Sequence, residues 1–156
     1  FREGGLHPSH YVGAEIPILG VNALWDTAGE WFVAEADESD GTIVKYHPEH
    51  AIILNIEEEH LDFYADLAAI ERVFEQLLRP TAGSVFYCAD DKHAARICSG
   101  HPRAISYGAA GGADYRFEEG HPNDFRTHLI ASQRGQMLRS VASKGQRPRT
   151  GTTDPS

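Results

Sequence analysis

Two short apolar segments, each ending in acidic residues, limit the folds open to this chain more than any other feature. They are 31–34, which is followed at once by Glu35, and 51–55, which is followed one residue later by three glutamates. Short continuous apolar runs of this kind are typical of strands that are buried on both faces. The segments 84–89 and 103–107 have the same character. The sequence therefore predicts four buried strands.

Helical patterns separate these strands. Between the second and the third, apolar residues recur at helical spacing from Leu67 to Leu78, with Asp66 as the predicted N-cap and Pro80 as the stop. A shorter helix is predicted over 91–99. Strands that alternate with helices predict an α/β fold with a mostly parallel, doubly wound sheet.

The composition changes near residue 132. From there Gln, Arg, Ser, Gly, Thr and Pro dominate, and five cations are accompanied by one acid, Asp154. Such a segment offers little apolar surface to bury against a sheet. We therefore expect one domain over 1–131 and a polar, basic tail over 132–156 that is disordered or not native to the domain.

Charge and composition argue against several kinds of partner. A net charge of −9 disfavours nucleic acids and anionic membranes, and the basic tail lacks the aromatic residues that stack on bases. No apolar run approaches the roughly 20 residues of a membrane span, so we expect a cytoplasmic protein. Cys88 and Cys98 match neither a redox pair nor a zinc knuckle and are expected to be buried thiols.

Polar side chains follow two of the predicted strands at their carboxyl ends, where open parallel sheets bind ligands. Glu35 and Asp37 follow the first strand, and His60 and Asp62 follow the second. If these strands are neighbours, Glu35 and His60 can bind one divalent cation, and ligand preference favours zinc or manganese. The alternatives are a surface histidine and a solvated acidic face, since 30–66 holds eleven carboxylates and one cation.

A phosphate-binding loop of the form Gly-x-x-x-x-Gly-Lys-Ser/Thr is absent from the 156 residues. The glycine-rich segment 108–113 follows a predicted strand, where its backbone could approach a nucleotide, but we interpret it as a flexible turn. On the residues alone, the chain has a candidate metal site without a phosphate site.

The two strand-end motifs together resemble those of one known family. The segments FVAEADESDG at 32–41 and LNIEEEHLDFY at 54–64 resemble the central-domain signatures of the Mur ligases, and in particular those of the members that add L-alanine to UDP-N-acetylmuramate. Other segments that fit this pattern are 2–9, 22–23, 107–108 and 113–116. The resemblance spans about 1–129.

The resemblance implies an ATP-dependent ligase of peptidoglycan synthesis. It implies that Glu35 and His60 bind Mg²⁺ at the ATP site, in place of zinc or manganese, and that Asn55 and Asp62 help to orient this site. In the implied reaction, the carboxylate of UDP-N-acetylmuramate attacks the terminal phosphate of ATP, and the amine of L-alanine attacks the resulting acyl phosphate. The implied partners are these small molecules.

The sequence departs from the family pattern in two ways. The resemblance implies a phosphate loop before Phe1 and further domains on both sides, which the 156 residues do not contain. We therefore expect a ligase fragment that is inactive alone. Two alternatives stay open. One is the related ligase that recycles a tripeptide onto UDP-N-acetylmuramate, against which Ser39 counts, and the other is a non-catalytic metal-binding α/β module.

Overall fold

The computed structural model of this protein describes residues 1–123, 126–133 and 136–144. The chain divides into two compact units, Phe1–Ile43 and Val44–Ser156. Each unit has its own sheet.

The first unit is built on three short strands. They are β1 (Ser9–Tyr11), β2 (Ala23–Leu24) and β3 (Phe32–Ala34), in the order β2-β1-β3. β1 pairs antiparallel with β2 and parallel with β3, which places His10 opposite Val33. A 3₁₀ helix over Arg2–Gly4 precedes the sheet, and a second 3₁₀ helix, Thr42–Lys45, follows it.

The predicted strand at 31–34 is present as β3, but it is not buried on both faces. Phe32 is 57% exposed and Val33 is half-buried. The described residues of this unit form no α-helix, so no helix of the unit covers its sheet. This strand does not pair with 51–55, which was the condition for bringing Glu35 and His60 together, because β3 pairs with β1 and β4 pairs with β5 in a different sheet.

The described residues of the second unit form six strands and two α-helices. Its elements are β4 (Ala51–Ile53), α1 (Leu67–Leu78), β5 (Val85–Cys88), α2 (Lys92–Cys98), β6 (Ala104–Gly108), β7 (Tyr115–Asn123), β8 (Arg126–Gln133) and β9 (Gln136–Lys144). The strand order is β4-β5-β6-β7-β8-β9, parallel from β4 to β7 and antiparallel from β7 to β9. The predicted α/β class with a mostly parallel sheet is confirmed.

Both predicted helices occur, and local chemistry explains where they begin. The Asp66 carboxylate accepts a hydrogen bond from the N–H of Ala69 (2.8 Å), and the Asp91 carboxylate accepts one from Ala94 (2.6 Å). Such caps satisfy backbone donors that the first turn leaves without partners. The apolar face of α1 is buried through Ile70, Phe74, Leu77 and Leu78.

The two helices lie over one face of the parallel sheet. Its register aligns Ala51, Val85 and Ala104, and the first two of these are buried. Ile52 points the other way, because side chains alternate along a strand, and it is 63% exposed. α1 and α2 contact each other and both connect neighbouring parallel strands, so they lie on the same side.

The structure differs from the expectation of a disordered tail that starts at residue 132. β8 runs to Gln133, and β9 covers Gln136–Lys144 and pairs with it antiparallel. A polar composition does not prevent this pairing, since ladder hydrogen bonds join backbone groups rather than side chains. The remainder of the predicted tail, 145–156, lies outside the described residues.

The two cysteines are free thiols with different surroundings. Cys98 is fully buried, and burial raises the pKa of its thiol to about 12, so it stays protonated near neutral pH. Cys88 is half-buried.

Across the part of the chain that the structure describes, no helix combines the length and the apolar character that a membrane span requires.

Glu71 on α1 is a buried carboxylate held by two basic side chains of α2. His93 Nδ1 lies 2.8 Å from one carboxylate oxygen, and Arg96 forms a salt bridge with the other. The hydrogen bond from Arg96 is the largest cause that lowers the pKa of Glu71, and it outweighs the opposing effect of burial. This cluster joins the two helices above the sheet.

We expect Glu71→Gln to lower the free energy of unfolding by about 1–2 kcal/mol at neutral pH, because Arg96 and His93 lose a charged acceptor. A carboxyl whose folded-state pKa is lowered stabilises the fold above its unfolded pKa, and this contribution is lost as the pH falls through the folded value. The free energies of unfolding of the wild-type protein and of Glu71→Gln, measured by urea unfolding, should therefore become equal in acid. Glu75→Gln, which removes an exposed carboxylate from the same helix, is the control, and an equal effect of both changes would contradict this role.

Candidate functional site

Glu35 lies directly after β3, where two backbone groups determine its position. Its own N–H donates to the carbonyl of Tyr11 (2.9 Å), which extends the β1–β3 pairing by one residue. Its carboxylate Oε2 accepts a hydrogen bond from the N–H of Gly13 (2.5 Å). The residue is exposed, so its carboxylate is accessible to a ligand from solvent.

Two of the acids that follow Glu35 form local turns. Asp37 Oδ1 accepts from the N–H of Ser39 (2.5 Å), and Asp40 Oδ1 accepts from the N–H of Thr42 (2.9 Å). Hydrogen bonds from Thr42 lower the pKa of Asp40. Short acidic side chains commonly bond backbone two residues ahead in this way, so turn chemistry accounts for part of the acidic run.

His60 lies in the segment between β4 and α1 and has an unusual backbone conformation. Its φ of 54° is the one positive value among the described residues other than glycine. Its carbonyl accepts from the N–H groups of Phe63 (2.8 Å) and Tyr64 (2.9 Å), and Tyr64 is buried. A left-handed residue costs conformational energy and occurs preferentially at functional sites, which makes His60 the strongest candidate in this unit.

The two other predicted site residues belong to the same unit as His60. Asn55 Nδ2 donates to Glu57 Oε1 (3.0 Å), and Asp62 is exposed. Between them, Ile56 is buried and anchors the segment. Glu35 belongs to the first unit.

Within the described ranges, the structure forms no group of three or more His, Cys, Asp or Glu side chains suited to a metal ion. Magnesium commonly uses one or two protein carboxylates and retains several waters. The accessible Glu35 carboxylate fits this chemistry. The half-buried His60 imidazole is a donor that ligand preference assigns more readily to zinc or manganese.

Asp90, which the sequence reasoning did not identify, organises the carboxyl ends of two neighbouring strands. It follows β5, and its carboxylate accepts from the N–H groups of Ala109 (2.6 Å) and Ala110 (2.8 Å), directly after β6. Gly108 has a φ of 153°, and a Cβ there would lie 2.7 Å from Asp90 Oδ2, so glycine is required. The glycine-rich segment is a turn, as predicted. The sequence features that could have indicated this contact are an acidic residue after one predicted strand and a glycine at the end of the next.

Comparison with known proteins connects these observations to one family. The family model described as "Mur ligase middle domain" matches residues 20–146, a range that includes both strand-end motifs and β9. A UDP-N-acetylmuramate–L-alanine ligase from Arthrobacter sp. (strain FB24) is 40% identical over 127 residues, which are 77% of this chain. The chain spans 27% of the length of that relative.

Two solved structures have the same fold. The UDP-N-acetylmuramate:L-alanyl-gamma-D-glutamyl-meso-diaminopimelate ligase from Neisseria meningitides matches with a TM-score of 0.76 at 22% identity, over 95% of this chain and 50% of its own. The UDP-N-acetylmuramate-alanine ligase MurC from Thermotoga maritima matches with a TM-score of 0.74 at 19% identity, over 93% of this chain and 32% of its own. At these identities the similarity is one of fold.

The backbone at His60 can be tested separately from its imidazole. We expect His60→Gly to leave the free energy of unfolding unchanged or raise it by up to about 1 kcal/mol, because glycine adopts a positive φ without strain. His60→Val should lower it by more than about 1 kcal/mol, since a branched side chain disfavours this conformation. Urea unfolding measures both variants.

The matched control is His47, an exposed histidine of the same unit whose φ is not positive. His47→Gly should lower the free energy of unfolding by up to about 1 kcal/mol, because glycine there adds conformational freedom to the unfolded chain and relieves no strain in the folded one. If glycine is equally unfavourable at both positions, His60 does not have a strained backbone.

Proposed function

The chain belongs to the Mur ligase family, through its middle domain, and on that premise we propose that it is part of an ATP-dependent ligase that joins L-alanine to UDP-N-acetylmuramate. The observation that carries this proposal is the identity of 40% over 127 residues to a relative that bears that name. The activity belongs to the whole protein, because the chain spans 27% of that relative.

The proposed reaction has two steps. A carboxylate oxygen of UDP-N-acetylmuramate attacks the terminal phosphorus of ATP, and ADP leaves with the electron pair of the broken bond. The amine of L-alanine then attacks the acyl phosphate, loses a proton and expels inorganic phosphate. The protein's part in phosphoryl transfer is to hold the reactants in line and to provide compensating charge. Because the reaction uses ATP, we place the protein in the cytoplasm.

We propose Glu35 and His60 as ligands of Mg²⁺ at the ATP site. An Mg²⁺ ion held by these residues would supply positive charge that offsets the negative charge developing during transfer. Two features support the assignment: the exposed Glu35 carboxylate directly after β3, and the left-handed backbone at His60. Both residues lie within the part of the chain that the family model matches.

Asn55 and Asp62 are proposed to orient this site and not to bind the ion directly. Asn55 donates to Glu57, which restrains the segment that leads from β4 to His60. Asp62 is exposed two residues after His60. Their substitution should therefore weaken nucleotide binding less than substitution of Glu35.

We expect the whole protein that contains this chain to release phosphate from ATP only when L-alanine and UDP-N-acetylmuramate are both present. A coupled phosphate assay, with mass spectrometry of the product, measures the reaction. Turnover with a tripeptide but not with L-alanine would instead identify the recycling ligase. Metal binding without turnover on either acceptor would favour the non-catalytic module, and both results would contradict the proposal.

The assignment of Glu35 and His60 as metal ligands can be tested separately from turnover, by measuring metal binding. In the whole protein, Glu35→Ala and His60→Ala should each weaken Mn²⁺ binding by at least about tenfold in isothermal titration, because each removes a ligand. Glu49→Ala and His47→Ala, which change an exposed acid and an exposed histidine between the two motifs, are the controls and should have no effect. Binding that is unchanged in both site variants would exclude the two residues as ligands.

A further inference from the structure

We propose that Gly13 is a positioning residue for the Glu35 carboxylate, a role that rests on the proposed function of Glu35 as a metal ligand. Gly13 precedes Glu35 by 22 residues and lies just after β1, outside both strand-end motifs. Its backbone N–H donates to Glu35 Oε2 at 2.5 Å. A charged acceptor makes this a strong hydrogen bond.

The sheet of the first unit holds both partners in place. Beside Gly13, the N–H of Val12 donates to the carbonyl of Asn22 (2.9 Å), which continues the pairing beyond β1 and β2. The N–H of Glu35 donates to the carbonyl of Tyr11 (2.9 Å). Donor and acceptor are therefore both anchored through backbone groups, and the bond between them restricts a side chain that is otherwise exposed.

A side chain at position 13 would crowd this contact. A Cβ there would lie 3.2 Å from Glu35 Oε2 and 3.7 Å from its carboxyl carbon. The shorter distance is tighter than ordinary van der Waals contact, so any larger residue must displace the carboxylate by a few tenths of an ångström. Gly13 thus matters for its small size and not for a positive φ.

A backbone donor suits a carboxylate that binds a cation. It orients the group and leaves the negative charge in place, whereas a lysine or arginine partner would compete with the ion electrostatically. The hydrogen bond from Gly13 uses one lone pair of Oε2, so the carboxylate would keep its charge and its remaining lone pairs for a cation. Hydrogen-bond partners of this kind commonly change metal affinity by 10–100-fold when they are removed.

The test uses Mn²⁺ alone as the probe and the whole protein that contains this chain. Gly13→Ala keeps the backbone N–H but displaces the carboxylate, so we expect it to weaken Mn²⁺ binding by up to about tenfold in isothermal titration, without a matching loss of thermal stability. Gly4→Ala is the control, because a Cβ there meets nothing within 4 Å in the same unit. In a Glu35→Ala background, Gly13→Ala should have no further effect, since the residue acts only through the carboxylate.

A second measurement does not depend on the folding of the Gly13 variant. In the wild-type protein, the amide proton of Gly13 should resonate downfield by NMR, and Glu35→Ala should move it upfield by losing the charged acceptor. An unmoved Gly13 resonance, or unchanged Mn²⁺ affinity in a folded Gly13→Ala, would overturn the positioning role. If Glu35→Ala itself leaves Mn²⁺ binding unchanged, it is instead the proposed ligand role of Glu35 that fails.

Discussion

The in-register parallel pairing of β4, β5 and β6 is the constraint on which the second unit depends. It places the carboxyl ends of three strands at one edge, where the segments leading to His60 and Asp90 and the turn after Gly108 all begin. Parallel strands need crossover connections, and α1 and α2 provide them. The same pairing therefore determines both the buried face of the sheet and the edge that carries polar residues.

Aspartates and glutamates have several different roles in this chain. Asp66 and Asp91 begin helices, Asp90 holds the turn that follows β6, and Glu71 joins α1 to α2. Others form turns after β3. An acidic composition is thus partly structural, because a carboxylate is an effective acceptor for backbone donors that lack partners. Glu35 differs from the turn-forming acids after β3 in that its backbone donor, Gly13, lies 22 residues away in the chain.

Prediction from sequence succeeded for local features and failed where distant segments pair. The α1 N-cap, both helices and the strands β4, β5 and β6 follow from apolar patterns and capping residues that act over short segments. The placement of β3 in a different sheet from β4, and the pairing of β8 with β9, depend on backbone hydrogen bonds. Side-chain patterns carry little information about such bonds, so composition suggested disorder in 136–144, which is paired strand.

Some features of the candidate site could likewise be predicted from the sequence, and others could not. Residue type and position after apolar runs were enough to propose Glu35 and His60 as candidates, and the paired motifs were enough to identify the family, since these are properties of short segments. Three features became visible only in three dimensions. They are the left-handed backbone of His60, the hydrogen bond from Ala109 to Asp90, and the hydrogen bond from Gly13 to Glu35. Each of these depends on φ or on atoms separated by many residues in the chain. Hydrogen bonds and steric limits act through space, and no local pattern of side chains encodes which distant backbone group will be near.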